Sequence, residues 1–217
     1  MAEWRDLAEE QLATLLRAAT GNTAAFHHLL DVAGARLFRC IAISRQAYQG
    51  DIPDEPYPGV SAIEAIDRAS YELALLVDDH ARAGDVFALC GRRLGLVLPD
   101  DPLWPAWEAH RSGALFHADL ARQSLRSAAA HARAAAHARD MFMLAPLRSR
   151  DWREWSWAAL EMVYHAFKDV DVAAAAARGM SRAVAWEFLY VYKILNRRDR
   201  VPRCLVQALQ ACPFARR

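Results

Sequence analysis

The chain has 217 residues, 54% of them hydrophobic and 24% charged, with a formal net charge of +1. A chain this long can bury roughly 70% of its unfolded surface, so neither disulfides nor a structural metal is needed to hold a core. The near-zero charge excludes an overall field that gathers nucleic acid or anionic membrane and leaves only local patches for that purpose.

The basic residues are 25 arginines and two lysines, Lys168 and Lys193, and alanine fills 45 positions. The four cysteines form no C-x-x-C motif and no zinc-ligand spacing, which suits small buried hydrophobes in a reducing compartment. The start, MAEWRDLAEEQ, lacks an apolar signal core, and no apolar run approaches the ~20 residues of a membrane span. A cytoplasmic protein without membrane attachment is expected.

Helical periodicity dominates the chain. Trp4, Leu7, Leu12, Leu15 and Leu16 predict a first amphipathic helix over 3–20, broken at Gly21-Asn22. Phe26, Leu29, Leu30, Ala33, Leu37, Phe38 and Ile41 predict a second over 23–47. The stretch 50–59, with Pro53, Pro56 and Pro58, reads as a loop. Ser61 and Glu64 read as a capping box opening a helix to about 82, and Gly84-Asp85 as the break before a fourth helix. A proline-rich connector, 96–105, leads into an alanine-rich stretch to about Met143, bent or divided at Gly113. Asp151 and Glu154 read as a second capping box, and Gly179-Met180 as a turn before a helix capped by Ser181. The expected fold is therefore all-α: a multi-helix globular bundle of about nine helices with no significant sheet. It is read as a single domain over 1–217, with an N-terminal hairpin at 1–49, a loop at 50–60 and the main body at 61–217.

Catalytic grammar is sparse. No G-x-S-x-G, P-loop or G-x-G-x-x-G occurs. His110, His117 and His131 share a helix face, but seven residues rise about 10 Å, too far for one ion. Glu161 and His165 have ligand spacing and are the weak metal candidates. A di-iron bundle needs Glu-x-x-His on two helices, which is missing, so no metal and no other cofactor is expected. Asp78-Asp79-His80 reads as a polar helix end.

Aromatic residues concentrate towards the C-terminus, nine of 21 lying between Trp152 and Tyr192. Trp155, Leu160, Tyr164 and Phe167 are expected on one buried stripe. The rings of Trp152, Trp155, Tyr164, Trp186 and Tyr190 are the candidates for contacting a ligand or partner, whether they pack, enclose or protrude. Segment 171–195 has helix-turn-helix grammar: Ala175 small, Gly179 at the turn, Met180 and Phe188 as apolar anchors. Lys193, Arg197, Arg198, Arg200 and Arg203 follow it as a candidate anion-binding patch.

Residues 15–39, through Arg17-Ala18, Gly21-Asn22, Ala24-Ala25-Phe26, Leu29 and Arg36-Leu37-Phe38-Arg39, resemble the opening of region two in small alternative sigma factors. The likeness covers about 25 residues, and what it implies is a role in transcription. The acidic polymerase-binding stretch and the basic promoter-melting helix that should follow are missing, so the chain is not assigned to that family.

The leading functional reading is a non-enzymatic regulatory or interaction protein that binds a protein partner, with homo-oligomerisation as one form of that binding. Two alternatives stay open. One is a DNA-binding, transcription-related regulator using 171–195, with nucleic acid the less favoured partner. The other is a helical small-molecule-binding protein or metal-assisted enzyme with an aromatic pocket, for which converging histidines and carboxylates are the distinguishing sign.

Overall fold

The computed structural model describes the backbone of residues 3–93 and 98–196, and within them the side chains of residues 14, 21–85, 87–88, 99–187 and 189–190. The elements are α1 (Glu3–Tyr48), α2 (Gly59–Arg93), a 3-10 turn (Leu98–Asp100), α3 (Trp104–Leu144) and α4 (Arg150–Asn196). No strand occurs among the described residues, so the all-α class stands. The count of about nine helices does not: the described chain has four long ones.

The difference lies in the glycines. A mid-helix glycine costs about 1 kcal/mol relative to alanine, which burial along a 46-residue helix outweighs. At Gly21-Asn22 the helix continues, and Asn22 donates from Nδ2 to Asp79 Oδ2 at 2.8 Å instead of capping. Gly84 lies inside α2 beneath the Arg111 guanidinium, which occupies the place of its missing Cβ. Gly179 lies inside α4, where an added Cβ would meet the His117 ring at 2.5–2.7 Å. These two glycines admit large side chains from α3 between the helices; neither makes a turn. Gly21, by contrast, has open space around its Cβ position. Gly21→Ala is therefore expected to stabilise the protein by about 0.5–1 kcal/mol, read as a rise in urea midpoint. A fall would show that the helix is not continuous there.

The segment with helix-turn-helix grammar is corrected on the same ground. Residues 171–195 lie within one unbroken helix, and Ser181 donates from Oγ to the Ala177 carbonyl one turn back, at 2.9 Å. There is no hairpin to present a second helix to a groove. The capping boxes also shift. The α4 N-cap is Ser149, whose Oγ accepts from the Trp152 N–H at 3.1 Å. Ser61 sits inside the first turn of α2 and donates to the Pro58 carbonyl at 3.0 Å.

Burial follows a 4-3 spacing on each helix. On α1 it runs Phe26, Leu30, Ala33, Leu37, Cys40, Ser44, Ala47; on α2, Ile66, Ala69, Leu73, Leu76, His80, Ala83, Phe87. On α3 it includes Ala114, Ala118, Ala121, Leu125, Ala128, Ala132 and Ala135. On α4 it runs Trp152, Ser156, Ala159, Val163, Ala166, Val170, Ala173. This 3.5-residue repeat is that of knobs-into-holes packing. The many alanines let helix backbones approach closely.

The chain divides into two compact units, and every long helix contributes a segment to each. Unit 2 comprises Ala25–Tyr71 and Leu120–Ala175. Its neighbouring segments run antiparallel. Arg36 reaches from α1 to the Ser61 carbonyl on α2, Arg133 on α3 pairs with Asp67 on α2, and His131 on α3 with Asp169 on α4. The core of this unit holds Ala47, Ala138, Phe142, Trp152 and Ala159. Gly50 ends α1 at φ 90°, with the Gly50 and Asp51 N–H groups bonded back to Ala47 and Gln46. That left-handed stop requires glycine, and Arg148 Nε clamps its carbonyl at 2.9 Å.

Unit 1 comprises Met1–Ala24, Glu72–Asp119 and Ala176–Arg217. Phe87 packs on Trp107 with ring centroids 5.3 Å apart, and Trp107 on Trp104 at 4.5 Å. Arg111 lies 5.3 Å from the Trp107 centroid.

Candidate interaction surface

On α1 of unit 2 the core seam takes Leu37, Cys40, Ser44 and Ala47, so Phe38 and Tyr48 fall one position outside it. On α4 the seam takes Ser156, Ala159, Val163 and Ala166, so Trp157, Tyr164 and Phe167 also fall outside. The antiparallel packing of the two helices brings these side chains together in two rungs. Phe38 meets Phe167 at 6.3 Å between centroids, and Tyr48 meets Trp157 at 5.2 Å. Both pairs are tilted, an arrangement that aromatic quadrupoles favour. Ten residues of helix separate Phe38 from Tyr48, so the rungs lie about 15 Å apart.

These rings remain open to solvent: Phe38 is 64% exposed, Trp157 50%, Tyr164 48% and Tyr48 44%. Their flanks are polar. Lys168 Nζ stands 4.7 Å from the Tyr164 centroid, and Arg45, Glu161 and His165 are exposed. An aromatic strip with a charged rim is the usual composition of a docking surface.

The ring candidates from the sequence separate into three environments. Trp152 is core: it is buried, meets Phe142 edge-on at 5.1 Å and donates from Nε1 to the Ala47 carbonyl at 2.8 Å. Trp155 is half-buried against that core, with His137 at 6.2 Å. Tyr164 belongs to the open strip. The single buried stripe of Trp155, Leu160, Tyr164 and Phe167 is thus corrected, because the α4 seam starts at Trp152 and continues through Ser156 and Ala159. Trp186 and Tyr190 lie in unit 1 and stack on His110 at 5.9 and 5.5 Å, Trp186 being half exposed.

Glu161 is exposed. His165 lies 5.4 Å, centroid to centroid, from His131, whose Nδ1 bonds Asp169 at 2.8 Å. Among the described residues no group of three or more His, Cys, Asp or Glu is placed to hold a metal ion. Lys193 falls within α4 but its side chain lies outside the described residues, as do Arg197, Arg198, Arg200 and Arg203 entirely. No helix among the described residues is long and apolar enough to cross a membrane.

Sequence reasoning used Phe38 only as one of the apolar positions that mark a helix over 23–47, and passed over Tyr48. The available signal was the strict 4-3 spacing through Leu37 and Cys40, which leaves Phe38 outside. It also missed a buried pair in unit 1: His80 Nε2 and Glu187 Oε2 are hydrogen-bonded, with the residues 1% and 2% exposed. Asp78-Asp79-His80 is not a polar helix end, because α2 continues to Arg93 and His80 occupies a core position. The thiol of Cys40 is pushed up to about 11 by burial, so it stays protonated at neutral pH and is a packing group, not a nucleophile. No family model, curated protein or solved structure matches this chain.

Proposed function

We propose that this is a non-enzymatic interaction protein that docks a protein partner through the aromatic strip of α1 and α4 in unit 2. The observation that carries the reading is the joint exposure of Phe38, Tyr48, Trp157 and Tyr164 along one pair of adjacent helices. Four rings left open along one strip form an apolar patch that single surface hydrophobes do not. Tyrosine and tryptophan bury large area with few rotatable bonds, which is why they dominate binding hot spots. Lys168, Arg45 and Glu161 at the rim supply register and orientation more than affinity.

The test compares native extracts of the source cells by gel filtration. The wild-type chain is expected in a species larger than the purified chain. The double variant Phe38→Ser/Trp157→Ser is expected to elute as the purified chain does. Because both rings are half exposed or more, unfolding stability should move by no more than about 1 kcal/mol. Identical elution of variant and wild type, with folding intact, would defeat the proposal. A larger species formed by the purified chain alone would identify the partner as a second copy.

A further inference from the structure

Resting on the docking reading of unit 2, we infer that the partner lays one amphipathic α-helix of at least three turns lengthwise along the strip. That helix carries a basic side chain over Glu161 and acidic ones over Arg45 and Lys168. The exposed rows of the strip have the repeat such a helix needs. On α1 the row runs Ala35, Phe38, Ala42, Arg45, and on α4 it runs Glu154, Trp157, Glu161, Tyr164, Lys168, every one of them exposed. Steps of three and four alternate in both, so each row keeps to one side of its helix. Ala42, one turn on from Phe38, ends at its Cβ. It leaves a low place on α1 between the Phe38–Phe167 and Tyr48–Trp157 rungs. Ridges with low places between them receive the side chains of a neighbouring helix.

An extended segment suits this surface poorly. It binds by adding to a sheet edge through backbone N–H and C=O groups, and in α1 and α4 those groups are bonded within the helix. A helix needs only side chains to pack on. The rungs lie about 15 Å apart, which is about ten residues of partner helix, so anchors at i, i+3 or i+4, i+7 and i+10 or i+11 span both. Charge then sets the flanks. The two rung pairings fix the antiparallel register of α1 and α4, which puts Arg45 of α1 level with Glu161 of α4. Lys168 follows two turns beyond Glu161, and its Nζ lies 4.7 Å from the Tyr164 centroid, so its charge is held at the strip. The partner's flank over α1 is therefore acidic, and its flank over α4 changes from basic to acidic within two turns. A helix of uniform charge would meet a like charge at one of these positions.

The test maps where the partner is touched. A photoreactive phenylalanine analogue replaces Phe38 or Tyr48 of the full chain in the source cells, and mass spectrometry locates the attachment points in the crosslinked partner. They are expected in one segment of its sequence, about ten residues apart, the rung spacing at ~1.5 Å per residue. The double variant Glu161→Lys/Lys168→Glu keeps the net charge and reverses the α4 flank. It is expected to lower the yield of partner crosslinked at Phe38 several-fold with folding unchanged, because both side chains are exposed. Attachment points about five residues apart, the spacing of an extended chain at ~3.3 Å per residue, overturn the inference. So do points in separate segments, an undiminished yield from the double variant, or a product joining two copies of this chain. Each of these results leaves the strip a docking surface. No crosslinked product at either position defeats the docking reading, and this inference with it.

Discussion

Trp152→Ala is expected to lower unfolding stability by about 3–5 kcal/mol. The ring fills the space between Ala47, Ala138, Phe142 and Ala159, and three of those neighbours are alanines that cannot extend into the hole. Its loss also removes the donor to the Ala47 carbonyl, in the last turn of α1 just before the glycine stop. Trp152→Phe keeps most of the volume and should cost clearly less. Denaturant unfolding at constant m-value measures both. A change below about 1 kcal/mol for Trp152→Ala would mean that the α4 seam does not begin at this residue.

Glu187→Ala is expected to cost a similar amount, about 3–5 kcal/mol, for a different reason. It strips the partner from a histidine buried in a helix seam and leaves a second ring nitrogen unsatisfied. The penalty comes from the orphaned group, so removing both members should be milder than removing one. His80→Leu/Glu187→Leu is thus expected to be markedly more stable than Glu187→Ala, as measured by urea midpoint. If the two single losses simply add, the residues are not paired in the folded protein.

The helical character of the chain was legible because alanine, leucine and arginine at spacings of three and four admit little else. Helix length was not. Glycine has two roles in a helix: it ends one, or it lets something approach closely. Gly50 is the first kind, marked by the prolines after it. Gly84 and Gly179 are the second kind, and only the positions of Arg111 and His117 on another helix distinguish them. The aromatic cluster was found, but its division into core and surface depends on a single residue of phase. Trp152 and Trp155 face or flank the core, whereas Trp157 does not. A repeat of 3.5 instead of 3.6 residues decides that phase over a 47-residue helix. His80 and Glu187, 107 residues apart, carry no local signature of pairing. What they do show is charge-bearing residues at positions where the seam spacing demands apolar ones.

The most direct test of the central claim, that the α1–α4 strip of unit 2 is a docking surface, is site-specific photocrosslinking in the source cells. A photoreactive phenylalanine analogue replaces Phe38 or Trp157 in turn, with Tyr71, an exposed ring on α2, as the control. A discrete crosslinked product at both strip positions and none at Tyr71 is the predicted result. No product at the strip, or the same products from Tyr71, would contradict the claim.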